Sequence, residues 1–229
     1  MADEHSVILA AAEPDDYEIA LRRRTIGHHL VDELIINGAF AMDSDHTNSE
    51  IALADALGPN PGSVLVGGLG LGFTAKRLLD NGAEHLDIVE LAGPLIDWAC
   101  QGLTPTLAEV AADPRANLRQ GDVTSLLLNQ PGLPGVFGPW DGICLDIDNG
   151  PNFLIHESNA SLYSPTGIRQ AVDHLLPGGA MSIWCEGPSK EFWYDLLTVD
   201  PGATEQLIEV ERGNRRLDYA IYTVRRPID

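Results

Sequence analysis

Residues 63–72, which read SVLVGGLGLG, are the stretch that decides the fold of this chain. The apolar residues 63–66 predict a short buried strand, and the glycines follow without a break. Glycine tolerates the positive φ of a tight turn and lets a ligand approach the backbone closely. A helical pattern then runs from Phe73 to about Asp80 and is closed by Asn81-Gly82, as expected of a helix C-terminus. The stretch therefore predicts a strand, a glycine turn and a helix.

The same alternation of strands and helices continues toward the C-terminus. Further strands are predicted at 86–91, 117–119, 142–146 and 180–185, and further helices at 94–100, 123–128, 165–176 and 191–197. Residues 206–212 and 217–224 predict a closing antiparallel pair. Strands that alternate with helices indicate an α/β fold with a parallel sheet, whose ligand crevice lies at the carboxyl ends of the strands.

The chain ahead of this alternation has a different character. Residues 1–16 are acidic and Ala-rich, and we expect a flexible N-terminus there. Residues 17–47 alternate loosely between turns at 27–29 and 37–38, which predicts a small antiparallel unit of two or three strands. A helical pattern over 49–57 then opens the α/β domain, which we assign to 48–229.

Charge and composition exclude several classes of protein. The 34 acidic and 14 basic side chains give a formal charge of −20, which argues against partners such as nucleic acid or anionic membrane. The sequence contains neither a membrane span nor the basic start of a signal peptide, so we expect a cytoplasmic protein. Its three cysteines and seven histidines lack the spacing of a metal site, so we expect no metal.

The glycine turn has the features of a nucleoside-binding site. Gly68, Gly70 and Gly72 have G-x-G-x-G spacing, and Glu90 ends the next strand about 20 residues later. An acid at that position can accept hydrogen bonds from both hydroxyls of a ribose. Asp122 follows the third strand, where it could accept from an adenine amino group or simply cap the next helix. The pattern favours an S-adenosyl nucleoside, whose cationic sulfonium suits an acidic pocket; alternatively, the glycines serve packing only.

A second cluster, DIDNGP at 146–151, follows the fourth strand. Asp146 and Asp148 lie where substrate and cofactor would meet, and one of two close carboxylates can have a raised pKa and act as a base. The alternative is a turn in which an Asp side chain caps the strand end. Tyr163, on the segment downstream, could close over the site or pack in the interior.

In their order and spacing these residues resemble the spermidine synthase (polyamine aminopropyltransferase) family, as a short, divergent bacterial member. The resemblance covers about 35–187. It rests on 67–72, Glu90, the Gly121-Asp122 pair, 141–146, the Leu162-Tyr163 pair and the LPGG run at 176–179. It implies a Rossmann-like S-adenosylmethionine-dependent transferase fold with a small N-terminal β unit. It also implies a homodimer of polyamine biosynthesis that alkylates an amine such as putrescine with decarboxylated S-adenosylmethionine.

The resemblance assigns roles to particular residues. Asp146 matches the catalytic acid of the family, which orients or deprotonates the amine, with Asp148 and Tyr163 as further catalytic candidates. Glu50, Asp148 and Asn149 are the candidates for acceptor binding. The expected donor-binding residues are Gly67, Gly68, Gly70, Gly72, Glu90, Leu91 and Asp122.

Three departures from the family pattern bear on the reaction. Gly70 stands where the family has an acid that holds the donor's amino group, and Asn149 stands where it has a second acid. Of the family's Tyr-His/Gln-Glu motif, residues 48–50 keep only the acid, Glu50. A methyltransferase that uses intact S-adenosylmethionine on a small molecule is therefore a second hypothesis, and a catalytically silent nucleoside-binding homologue is a third.

Overall fold

A computed structural model describes residues 4–14, 17–128, 133–147, 150–151, 154, 157–212 and 215–228. Two sheets organise these residues. One is a four-stranded antiparallel sheet and the other a seven-stranded, mostly parallel sheet flanked by helices. Among the described residues, no helix has the length and apolar character needed to cross a membrane.

The small sheet is formed by the N-terminal residues. Its strands, in spatial order, are β1 (Glu4–Ala12), β2 (Ile19–Ile26), β3 (His29–Ile36) and β4 (Ala39–Asp43). The two tight turns are confirmed, and Asn37 and Gly38 both have positive φ, as a two-residue hairpin of this type requires. The expectation of a flexible terminus is wrong for residues 4–12, because they pair with β2 along its whole length. The sheet consequently has four strands rather than two or three.

The large sheet confirms the predicted α/β class. Its strands in chain order are β5 (Ser63–Gly67), β6 (His85–Glu90), β7 (Ala116–Gln120), β8 (Trp140–Leu145), β9 (Leu175–Cys185), β10 (Thr204–Arg212) and β11 (Arg215–Arg225). Their spatial order is β10-β11-β9-β8-β5-β6-β7, with β5 to β9 parallel and the last two strands antiparallel. The chain leaves β5 toward β6 and returns to its other side with β8. This reversal places a crevice beyond the carboxyl ends of β5 and β8.

Helices connect these strands. They are α1 (Asn48–Asp55), α2 (Phe73–Asp80), α3 (Gly93–Gln101), α4 (Pro105–Ala112), α5 (Val123–Leu127), α6 (Pro165–Val172) and α7 (Lys190–Val199), with a 3-10 helix at Glu157–Ser161. The helix α4 was not predicted; Thr104 caps it by accepting a hydrogen bond from the Leu107 N–H.

One predicted boundary is wrong. The helix expected to reach Leu176 ends at Val172, and β9 already begins at Leu175. The Gly178 N–H donates to the Arg226 carbonyl and the Arg226 N–H donates to the Gly179 carbonyl. The LPGG run therefore pairs with the C-terminal segment, and this long-range ladder outweighs the local helix-terminating signal.

Apolar side chains form a core on each face of the large sheet. The small sheet joins one of these cores, because Ile19 and Leu34 belong to the same buried cluster as Leu53 and Val66. The small sheet is thereby held against the large one, and its strands reach the crevice.

Candidate active site

A cavity of about 170 Å³ lies at this crevice, between the carboxyl ends of the parallel strands and the small sheet. Elements from both halves of the chain form its walls. The lining residues are Tyr17, Ile19, Leu34, Ile36, Ala41, Met42, Glu50, Gly68, Gly70, Val89, Glu90, Leu91, Ala92, Leu95, Gly121, Asp122, Val123, Thr124, Asp146, Ile147, Asn159 and Trp184.

The glycine turn forms the floor of the cavity at Gly68 and Gly70. Both have positive φ, +90° and +51°, which side chains rarely adopt. A Cβ on Gly68 would also collide with the main-chain carbonyl oxygen of Asp146. The backbone that follows β5 can therefore approach the backbone that follows β8 this closely only because residue 68 has no side chain. The other two predicted glycines do not line the cavity: Gly67 packs against Val123, and Gly72 is the left-handed N-cap of α2.

Glu90 is fixed by the backbone around the turn. One carboxylate oxygen accepts a hydrogen bond from the Leu69 N–H and the other from the Ala92 N–H, each over 2.7 Å. Burial raises the pKa of Glu90, while the backbone N–H groups oppose that rise. The backbone N–H groups of Gly70 and Leu91 also act on the carboxylate as hydrogen-bond donors, and Glu90 lines the cavity next to Leu91. The backbone thereby fixes an acid at the edge of the cavity, where the sequence predicts the contact with a ribose.

Asp122 caps α5, as its alternative interpretation predicted. Its side chain accepts from the Thr124 N–H over 2.8 Å and from the Ser125 hydroxyl over 2.6 Å. The residue also lines the cavity, so capping does not remove it from the ligand's reach. Its contact with an adenine amino group stays a prediction.

Asp146 and Glu50 form the acidic centre of the site. Asp146 follows β8, and its N–H donates to the Gly67 carbonyl over 2.9 Å. Burial, and then the nearby charges of Glu50 and Glu90, raise the pKa of Asp146 to about 7. Glu50 lies in the first turn of α1, is buried, and accepts a hydrogen bond from the Ser49 hydroxyl over 2.7 Å. A carboxyl group poised near neutral pH can exchange a proton with a bound amine.

The structure does not bring every predicted residue to the cavity. Tyr163 is 5 % exposed and packs in the same buried cluster as Val123, with its ring 5.7 Å from that of Phe192. It is not among the residues that line the cavity, and its catalytic role stays a prediction. Asp148 and Asn149 lie outside the described residues.

Sequence reasoning missed the residues that the small sheet and β9 contribute to the cavity. They are Tyr17, Ile19, Leu34, Ile36, Ala41, Met42 and Trp184. Met42 lies over the glycine turn, where its sulfur accepts a hydrogen bond from the Leu71 N–H over 3.3 Å. Alternation along β3 signals that Leu34 and Ile36 share a face, but only the packing of the two sheets shows what that face covers.

The ionisable side chains in the described lining of the cavity are all acidic apart from the hydroxyl of Tyr17. Its described lining includes four carboxylates, at Glu50, Glu90, Asp122 and Asp146, and no Lys, Arg or His. In the described part of the chain, no group of three or more His, Cys, Asp or Glu side chains is arranged to hold a metal ion. The four carboxylates of the described lining favour a cationic ligand.

The fold and this crevice define a class of protein with a Rossmann-like methyltransferase fold and an added N-terminal sheet. Within that class, the structure is similar to two spermidine synthases. One, solved in complex with the transition-state analogue AdoDATO, has a TM-score of 0.74 and 19% identity over 97% of this chain and 74% of its own. The other, from Thermotoga maritima, has a TM-score of 0.69 and 19% identity over 97% and 73%. No protein-family model and no curated protein matches the sequence. The similarity establishes the fold.

Proposed function

We propose that this protein is a spermidine synthase-like aminopropyltransferase, which alkylates an amine with decarboxylated S-adenosylmethionine. The observation that carries the proposal is the cavity at the carboxyl ends of β5 and β8, with four carboxylates and no cationic side chain in its described lining. The decarboxylated donor carries a sulfonium and an ammonium group but no carboxylate. All its charges therefore suit this cavity, whereas the carboxylate of the intact donor would meet only like charge.

The donor-binding roles follow from the contacts of the turn. Gly68 and Gly70 line the cavity without a side chain, which lets the nucleoside approach the backbone of the turn. Glu90, which the backbone holds at the edge of the cavity, accepts from the ribose hydroxyls beside Leu91. Asp122 accepts from the adenine amino group.

Asp146 acts on the acceptor. Its carboxylate takes a proton from the ammonium form of the amine, whose nitrogen then forms a bond to the donor carbon beside sulfur. The carbon–sulfur bond breaks, the electron pair stays on sulfur, and methylthioadenosine leaves. Glu50, whose charge already acts on Asp146, holds the acceptor nitrogen beside it. Placing nitrogen and carbon in line supplies most of the rate. Asp148 and Asn149 remain proposed acceptor contacts.

A methyltransferase that uses intact S-adenosylmethionine on a small molecule is the second candidate. One observation favours it: the donor-amine acid of the family is absent at Gly70, and the Met42 sulfur would lie 2.7 Å from a Cβ there. A thioether therefore occupies the place of an anionic anchor. A catalytically silent nucleoside-binding homologue is the third candidate. The cytoplasmic location and the homodimer stay predictions.

Calorimetric titration with three ligands separates these candidates. The ligands are S-adenosylmethionine, its decarboxylated form and methylthioadenosine. We expect the decarboxylated donor to bind at least ~10-fold more tightly than the intact one, a difference of about 1.4 kcal/mol. Tighter binding of the intact donor would favour the methyltransferase instead. Binding without methylthioadenosine release in the presence of any amine would favour the silent homologue, and no binding of any ligand would refute nucleoside recognition.

A further inference from the structure

Three polar side chains of the cavity lining are joined by hydrogen bonds. They belong to Asp122, Thr124 and Asn159. The Thr124 backbone N–H donates to one carboxylate oxygen of Asp122, and the Thr124 hydroxyl donates to Oδ1 of Asn159, each over 2.8 Å. Asp122 and Asn159 therefore lie on either side of Thr124, and each is one hydrogen bond away from it.

Asn159 is held in one orientation. It lies in the 3-10 helix Glu157–Ser161, and its backbone carbonyl accepts from the Leu162 N–H over 3.0 Å. Asn159 and Thr124 are both buried, so the hydrogen bond between their side chains is costly to break. Because Oδ1 accepts from Thr124, the other arm of the planar amide is the Nδ2 group, which carries two N–H donors.

Asp122 and Asn159 differ in the hydrogen bonds that they can form with a ligand. A carboxylate can only accept hydrogen bonds, whereas the Nδ2 group of an asparagine can only donate them. Thr124 holds the two side chains next to each other from successive parts of one residue, its backbone N–H and its hydroxyl. The lining therefore presents an acceptor and a donor side by side.

An adenine base has the matching pattern. Its amino group donates, and the ring nitrogens on either side of that group, N1 and N7, accept. Asp122 is already the proposed acceptor for the amino group. A neighbouring side chain that donates to a ring nitrogen would make the contact with the base two-pointed, which is the arrangement by which proteins select adenine.

From this arrangement we infer that Asn159 is a specificity-determining residue for the donor. Its Nδ2 group donates to the ring nitrogen next to the adenine amino group, N1 or N7, while Asp122 accepts from the amino group itself. Thr124 does not contact the base in this scheme and positions both of its neighbours. The inference rests on the proposed function and adds a residue that recognises its donor.

The test measures, by calorimetric titration, the affinity of methylthioadenosine and of its two analogues in which a C–H group replaces N1 or N7. We expect one analogue to bind the unaltered protein ~10-fold more weakly, because it leaves the Nδ2 donors without an acceptor. Equal affinities for all three ligands would overturn the inference and leave the proposed function intact. If methylthioadenosine itself did not bind, nucleoside recognition would be refuted, and the inference would fall with the proposed function.

Asn159→Ala links the lost affinity to this side chain. We expect this variant to bind methylthioadenosine ~10-fold more weakly and to lose the preference for it over the weaker analogue. A merely structural role of Asn159 would weaken all three ligands alike and keep the preference, and that result would overturn the inference. Asn159→Asp, which keeps an oxygen for the Thr124 hydroxyl and removes the Nδ2 donors, decides the same question if the alanine variant does not fold.

Asn117→Ala is the matched control. The Asn117 amide is also partly buried and donates to Asp87 and to the Gly135 carbonyl, but Asn117 does not line the cavity. We expect this variant to keep the preference of the unaltered protein for methylthioadenosine. Loss of the preference in Asn117→Ala as well as in Asn159→Ala would count against a specific contact of Asn159 with the base.

Discussion

Glu90 accepts a hydrogen bond from the backbone N–H of Leu69 over 2.7 Å, so the acid that ends β6 holds the glycine turn that follows β5. The same carboxylate accepts the Ala92 N–H ahead of α3. One side chain thereby fixes two loops that lead away from adjacent strands. The proposed ribose-binding oxygens are held in place before any ligand arrives, which reduces the entropy lost on binding.

Glu90→Gln should weaken nucleoside binding and destabilise the turn. A glutamine has one accepting oxygen, so its amide nitrogen would face an N–H donor at either Leu69 or Ala92. An unsatisfied donor costs about 1–3 kcal/mol, and we expect methylthioadenosine affinity to fall ~10-fold or more. Calorimetric titration measures the affinity. Glu84→Gln is the control, since Glu84 is exposed nearby on the chain; equal affinities in the two variants would contradict the role of Glu90.

Gly68→Ala tests the close approach of β5 and β8. The new methyl group would collide with the Asp146 carbonyl oxygen. Gly58→Ala is a matched control, because Gly58 has a similar φ of +80° but nothing within 4 Å of its Cβ position. The backbone strain is thus common to both variants, and the difference between them reports the collision. We expect Gly68→Ala to lose about 1–3 kcal/mol more in urea unfolding than the control. It should also lose nucleoside binding, which Gly58→Ala should keep.

The pH dependence of turnover should report Asp146. Its pKa is raised to about 7, so the free protein holds the carboxyl group protonated in mild acid, where it cannot take a proton from the amine. We expect kcat/KM to rise with pH through about 7. Asp146→Asn should lose ~100-fold or more in kcat, within the range of general-base contributions, while keeping donor affinity within a few-fold. Turnover that survives this substitution would remove Asp146 from the mechanism.

The same carboxyl group predicts a pH-dependent stability. A raised pKa in the folded state means that the folded protein holds the proton more tightly than the unfolded chain, whose Asp has a pKa near ~3.9. This stabilising contribution is fully present below ~3.9 and is lost as the pH rises through about 7. The free energy of unfolding of Asp146→Asn minus that of the unaltered protein should therefore be more positive at about pH 8 than at about pH 4. Urea unfolding at the two pH values measures the change, and Asp97→Asn, at an exposed residue, should show no such difference.

The large sheet could be predicted because its signals are local. The end of each strand is predicted by residues next to it in the chain. Examples are the glycines that follow the apolar run 63–66, and Glu90 at the end of the next strand. The rules of parallel α/β topology then bring those ends together without knowledge of any distant contact. Asp146 and Glu90 were assigned to one crevice on that basis, and both line it.

Structure that depends on a partner far away in the chain could not be predicted from the sequence. The sequence predicted a flexible acidic tail at residues 4–12, but these residues pair with β2. It predicted the end of a helix at the LPGG run, 176–179, but the backbone of this run pairs with Arg226. For Tyr163 the sequence left open whether it closes over the site or packs in the interior, and the structure buries it beside Phe192.

The sequence by itself determined the alternation of strands and helices in the large sheet, apart from α4, together with the glycine turn and the acids at the strand ends, because these follow from residue type and short-range periodicity. Only the tertiary structure decided that the small sheet walls the cavity and that Met42 covers Gly70. Those contacts join elements far apart in the chain, and the physical cause is the burial of the apolar face of the small sheet against the large one.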